Sequence, residues 1–262
     1  MTHLGMTDDG LRFSFEGDIE RITLAEPAKR NALGLSKMQA LTAHLRAIDT
    51  SASASVVVID AEGPAFSAGH DLGEMGGIDL EGSQAIFHAC TDLMTTIHAI
   101  RQPVIAAVDG IATAAGCQLV ASCDLAIATE ASTFATPGVR IGLFCSTPMV
   151  PISRAVGRKR AMQMLLTGNP VSASTAADWG LINSVVAADS LDEAVHSMAA
   201  DIVRWSSHTI GVGKSAFYEQ IDRSEADAYD FTGRVMSDNA VDDVAQEGIS
   251  AFVEKRDPVW PA

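Results

Sequence analysis

No stretch of this chain stays apolar long enough to cross a membrane. Its longest apolar runs are broken by Gly, Asp or Pro, well short of the roughly 20 residues a spanning helix needs. The first residues, MTHLGMTDDGLRFSFEGD, hold no basic segment followed by an apolar run, so they do not read as a secretory signal. They carry Asp and Glu and little Arg, which argues against a transit peptide. The expectation is a cytoplasmic protein without membrane insertion. Positive charge is also scarce: 18 Lys and Arg stand against 33 Asp and Glu, for a net charge of −15. That argues against nucleic acid or an anionic membrane surface as partner. A small anionic ligand stays open, because a local basic spot outweighs the global field within a Debye length of about 8 Å. The four cysteines, Cys90, Cys117, Cys123 and Cys145, show no C-x-x-C spacing. No zinc or other metal site and no disulfide framework is expected, and they read as small buried hydrophobes. No G-x-G-x-x-G follows the first strand, which removes a nicotinamide-dependent dehydrogenase.

What is present is ample material for a core: 262 residues, 47% hydrophobic and 19% charged. LRFSFEGDIERITL alternates apolar and polar around a Gly-Asp turn, a hairpin signal. Helical spacing follows at Met38, Leu41, Leu45 and Ile48, with Ser36 and Gln39 in a capping-box pattern. SVVVIDAEG, PVIAAVDG and DLAIATE are continuous apolar runs suited to strands buried on both faces. Residues 84–101 and the CQLVASC segment read as helices, and after Pro148 the pattern is helical almost to the end. The layout is α/β. It divides into a core over residues 1–195 and a helical region over 196–262 whose apolar faces need cover, commonly from a neighbouring subunit.

Two small-residue turns, SAGHD (Ser67 to Asp71) and TAAGCQL (Thr113 to Leu119), each follow a buried strand. Small residues admit a ligand close to the backbone. Free N–H groups at a helix start point outward, with the positive end of the dipole behind them. Two such turns side by side can aim two donors at one carbonyl oxygen, an oxyanion hole.

The segments KRNALG, AFSAGHDL, PVIAAVDGIATAAGCQLVASCDLAIATEASTFATP and AQEGISAFVEKRDPVW, in this order and spacing, resemble the landmarks of the enoyl-CoA hydratase/isomerase (crotonase) family. GLFCSTP resembles the hydratase-domain-containing subgroup. The resemblance implies a spiral of ββα units with a C-terminal helical trimerisation region, as a homotrimer or a dimer of trimers. It implies an acyl-CoA thioester as ligand, with coenzyme A part of the substrate and no tightly bound cofactor. Carried over by position, it puts the oxyanion donors on the backbone N–H groups of His70 and Ala115. Lys29, Arg30, Ala32, Ala68, Asp71 and Leu72 would neighbour the CoA moiety. Phe252 and Lys255 would approach its phosphates, from an adjacent subunit if need be.

The chain departs from that pattern at the chemistry. The family's two catalytic glutamates correspond to Gln118 and Gly138. A neutral amide takes no proton at pH 7, and each missing acid or base costs about 10²- to 10⁴-fold in rate. Weak or altered hydratase activity is expected, and restoring both carboxylates is expected to speed it. Cys145 as nucleophile or base and the His70 side chain as proton shuttle are the remaining candidates. Asp71 reads as a cap, Asp124 as structural, and His88 and His98 as surface positions. The alternatives are a non-catalytic acyl-CoA-binding modulator of fatty-acid metabolism, or a CoA-ester decarboxylase or thioesterase.

Overall fold

The computed structural model describes residues 2–7 and 9–261. Strands β1 (Thr2–Met6), β2 (Leu11–Glu16) and β3 (Ile19–Leu24) form an antiparallel meander, with β2 and β3 joined at the Gly-Asp turn. Helix α1 (Leu35–Ser51) follows, with Met38, Leu41, Leu45 and Ile48 buried as their spacing predicts. Its cap differs from the sequence expectation. Gly34, not Ser36, is the N-cap, and the orphan N–H of Leu35 donates to Glu74 Oε2 at 2.8 Å.

One device then repeats three times. A buried strand enters a large sheet, a three-residue strand enters a small one, and a helix packs back across them. The first pass is β4 (Val56–Ala61) and β5 (Ala65–Ser67), then the short α2 (Leu72–Met75) and long α3 (Leu80–Ala99). Capping by Asp79 starts α3 before the expected residue 84, since its carboxylate accepts from Gly82 N at 2.8 Å. The second pass is β6 (Val104–Val108), β7 (Ile111–Thr113) and α4 (Ala115–Ser122). The third is β8 (Leu125–Thr129), β9 (Thr133–Ala135) and α5 (Met149–Val156). Beyond lie α6 (Arg158–Thr167), β10 (Val171–Ser172), α7 (Ala173–Trp179) and β11 (Ser184–Val186), so the tail is less uniformly helical than its pattern suggests. Last come α8 (Leu191–Val203), α9 (Ser207–Gln220), α10 (Glu225–Ala240) and α11 (Asp243–Glu254). The sheet orders are β1-β2-β3-β4-β6-β8-β11 and β10-β9-β7-β5.

The continuous apolar runs serve two cores at once, because side chains alternate across a strand. Val57 and Ile59 of β4, Val104 and Ala106 of β6 and Ala126 of β8 face the interior shared with α1, α3 and α4. Their neighbours Val56, Val58, Ile105, Ala107 and Ile127 face a second cluster. Helix α8 closes that cluster with Val195 and Ala199, both fully buried. The division drawn at residue 195 therefore cuts through α8, which belongs to the sheet's packing. The helices that stand off the sheet begin with α9.

A buried ion pair fastens α9 to the core. Lys214 Nζ lies 2.7 Å from Asp124 Oδ2 and donates to the carbonyls of Ile97 and Gln102 at 2.7 Å. Asp124 also accepts from Val104 N and from the Tyr218 hydroxyl. Asp124 is structural, as expected. His98 is half-buried and not a free surface residue: its ring stacks on Tyr218 at 4.0 Å, and burial pulls its pKa below the usual imidazole value. Truncation of Lys214 would leave the largely buried Asp124 carboxylate without its counter-ion. Lys214→Met is expected to cost about 3–5 kcal/mol in urea denaturation at fixed protein concentration. A loss under 1 kcal/mol would show that the lock carries no stability.

The turn entering α4 is strained. Ala114 has φ 51 and ψ −118, a region avoided by residues with a Cβ. Such positions cost about 1–3 kcal/mol. Ala114→Gly is expected to keep or raise the urea midpoint, and Ala114→Val to lower it sharply.

Candidate active site

Strands β5 and β7 pair in parallel and end side by side. The chain after β5 is pinned by short hydrogen bonds. Ala68 N donates to Arg30 O at 2.9 Å, Leu33 N to Gly69 O at 2.7 Å, and Ser67 Oγ to Asn31 O at 2.8 Å. A Cβ added at Gly69 would sit 2.8 Å from Ala114 Cβ and 3.0 Å from Ala115 N, so the two turns are in contact through bare backbone. Among the described residues, neither the His70 nor the Ala115 N–H donates to any protein acceptor. Ala115 opens α4, where such orphan donors are expected.

These amides lie at a cleft of about 460 Å³ whose wall includes Ala68, His70, Leu72, Met75, Phe87, Ala115, Gly138, Phe144 and Cys145. Among the described residues no Asp or Glu lines it, and its ionisable side chains are His70, Arg140 and Cys145. Both ring nitrogens of His70 are buried, and Phe87 meets the ring edge-on at 5.3 Å. Burial lowers the His70 pKa, against the opposing pull of the Leu33 backbone and the Glu74 charge, so the imidazole is neutral at pH 7. Burial raises the Cys145 pKa, against a hydrogen bond with the Gly138 backbone. Cys145 is thus a thiol at neutral pH, which weighs against its use as a nucleophile. Arg140 donates to Asn169 Oδ1 at 2.7 Å.

At Gly138 the loop has closed over the space of a side chain. An added Cβ would overlap the Leu143 carbonyl oxygen and lie 2.8 Å from Cys145 Sγ. Restoring a glutamate here would displace the Leu143–Cys145 segment, contrary to the expectation that the carboxylate can simply be put back.

The other site residues are distributed as follows. Gln118 does not line this cleft. Its side chain turns to α3, where Oε1 accepts from Cys90 Sγ at 3.6 Å, and it lines a separate, larger cavity. Asp71 caps α2, accepting from Gly73 N at 2.9 Å. Lys29 and Arg30 are exposed on the turn beside Ala68, and Ala32 N closes that turn on Lys29 O. Phe252 and Lys255, at the end of α11, do not line the cleft within one chain. Ser146 and Thr147, which the sequence reading puts forward as partners of an acyl substituent, both line the cleft, whereas Phe87 is a lining residue that sequence reasoning missed. Phe87 sits one position off the apolar stripe of α3, and that offset is the signal that could have marked it.

Comparison with known proteins follows the same lines. Residues 14–262 match the family described as enoyl-CoA hydratase/isomerase. The chain is 48% identical over 248 residues to the enoyl-CoA hydratase domain-containing protein 3, mitochondrial, of Danio rerio, covering 94% of this chain and 85% of that one. The crystal structure of an enoyl-CoA hydratase from Mycobacterium smegmatis superposes with a TM-score of 0.93 at 45% identity, over 96% of this chain and 98% of that one. The human enoyl-CoA hydratase domain-containing protein 3 superposes with a TM-score of 0.93 at 43% identity, over 96% of this chain and 100% of that one. The cytoplasmic placement expected from the N-terminal residues is corrected by these relatives. The Danio rerio protein and those of Rattus norvegicus, Homo sapiens and Dictyostelium discoideum are all named as mitochondrial, which points to mitochondria instead. With the ββα spiral, the abutting turns and a match over nearly its whole length, the chain belongs to the enoyl-CoA hydratase/isomerase family, and its fold is that of crotonase.

Proposed function

We propose that the protein binds an acyl-CoA thioester, with the thioester oxygen between the amides of His70 and Ala115, and stabilises the enolate of that thioester. One observation carries this reading: two unpartnered main-chain donors abut at an apolar cleft that no carboxylate lines. Donors fixed in such a cleft favour the form in which negative charge has gathered on oxygen, and one such donor is worth about 2.7–4 kcal/mol of barrier. The CoA moiety would run along Lys29, Arg30 and Ala32 on one side and Ala68, Asp71 and Leu72 on the other. Lys255 and Phe252 would reach its phosphates from a neighbouring subunit. Exposed Tyr229, Met236, Phe252 and Val253 on the last helices support assembly as a trimer or a dimer of trimers.

Hydration asks for more than an oxyanion hole. A water must lose a proton and the α-carbon must gain one. In this cleft the proton-accepting group is the neutral His70 imidazole, and no second acid stands opposite it. Hydration should therefore be slow, while steps that need only an enolate and one base survive. The His70 pKa is lowered, so the ring keeps its basic form from neutral pH to below its ordinary value of about 6.5. Activity that depends on it should hold across that range and fall only at more acid pH, where the ring protonates.

The test uses crotonyl-CoA and acetyl-CoA. Calorimetry should show that both bind, and that a thioether analogue without the carbonyl binds more weakly. Hydration of crotonyl-CoA should be at least about 10²-fold slower than by a family hydratase with both glutamates. In deuterium oxide the protein should exchange the protons beside the thioester carbonyl, and His70→Ala should slow that exchange about 10²-fold or more. Equal affinity for thioester and thioether would overturn the oxyanion-hole reading. Binding without exchange would make the protein a non-catalytic acyl-CoA binder.

A further inference from the structure

Every donor and acceptor group that Asn31 owns is taken by a protein partner. The residue is 0% exposed and stands in the left-handed region at φ 52, which Asn tolerates better than most residues with a Cβ. Its main-chain N–H donates to Glu26 O at 3.1 Å, and its side-chain Oδ1 accepts from Glu26 N at 2.9 Å. Its Nδ2 donates to the carbonyls of Glu62 and Ala65, both at 2.8 Å. Its own carbonyl accepts from Ser67 Oγ at 2.8 Å, and the same Oγ accepts from Gly69 N at 3.2 Å. Ala65 and Ser67 are the first and last residues of β5. One buried residue therefore grips both ends of the strand that leads to His70.

The segment around Asn31 also sets the direction of the His70 amide. Arg30, at φ 51, turns its carbonyl to Ala68 N, and Leu33 N donates to Gly69 O at 2.7 Å. The peptide group between Gly69 and His70 is planar and trans, so its N–H points opposite to its C=O. With that carbonyl drawn to Leu33, the N–H of His70 faces away from Leu33, and no described residue accepts from it. Residues 67, 68 and 69 are thus held in turn by residues 31, 30 and 33. The Asn31 amide fixes this holding segment to the chain entering β5.

We infer that Asn31 is a positioning residue of the thioester site: its amide secures the segment that orients the His70 N–H, and so governs how firmly the carbonyl oxygen of the ligand is held. The inference rests on the acyl-CoA reading above and adds a residue that does not itself line the cleft. The chemistry of the place suits an amide. An aspartate would keep the left-handed turn and the acceptor for Glu26 N, but would set a carboxylate oxygen against the carbonyls of Glu62 and Ala65. A glycine would keep the turn and lose the side-chain bonds.

The test measures the preference for acetyl-CoA over its thioether analogue, ethyl-CoA, by calorimetry on the full chain. The CoA portion is the same in both ligands, so the preference reads the hydrogen bonds to the carbonyl. In Asn31→Gly and Asn31→Asp it should fall about two- to tenfold, the range for one neutral hydrogen bond, while ethyl-CoA binds as it does to the wild type. Ser67→Ala cuts the link from Asn31 O to Gly69 N. It should lower the preference in the same direction, and it carries the test if an Asn31 variant does not fold. Lys214→Met, which loosens α9 instead, should keep the wild-type preference and so shows what lost stability alone does. A wild-type preference retained in the folded Asn31 and Ser67 variants, equal weakening of both ligands, or the same loss in Lys214→Met would each overturn the inference. No preference in the wild type is a different result: it would remove the acyl-CoA reading, and this inference with it.

Discussion

Everything at this site depends on how closely two strand ends approach. The turns after β5 and β7 touch through backbone at Gly69 and Ala115, and that contact brings the start of α4 beside the chain leaving β5. Side chains of ordinary size would hold the turns apart. The strain at Ala114 belongs to the same constraint, because the chain must reverse within one residue to start α4 with its first amide turned outward.

Given that frame, the side chains around the cleft decide what it can hold. At Gly138 no side chain fits, since the segment through Leu143 and Cys145 fills the space an added Cβ would take. Gln118 has turned its amide towards Cys90 and away from the thioester cleft. The imidazole of His70 is buried, with Phe87 edge-on to it.

Much of this was legible in the amino acids. Strands packed on both faces write themselves as unbroken apolar runs, and Val56 to Ile59, Val104 to Val108 and Leu125 to Ala128 are such runs. The two turns stood out because Ser, Ala and Gly cluster there directly after strands. Other features were hidden for physical reasons. The small sheet is made of three-residue and two-residue strands, too short to show a period. Ser36 has the right neighbours for a cap, but Glu74, distant in sequence, supplies the acceptor instead. The rotamer of Gln118, the closure of the loop at Gly138 and the burial of His98 against Tyr218 are tertiary events between segments far apart in the chain. No local pattern encodes them. The boundary drawn at residue 195 falls inside α8, which looks like its helical neighbours in sequence yet packs on the large sheet.

The pair Lys214 and Asp124 has one more implication. The same contact that fastens α9 against the spiral also forms part of the frame around the larger cavity. Substitutions that widen this cavity at Asp124 would also loosen the clasp on α9, so volume gained there is tied to a loss of stability that changes elsewhere along α9 would have to offset.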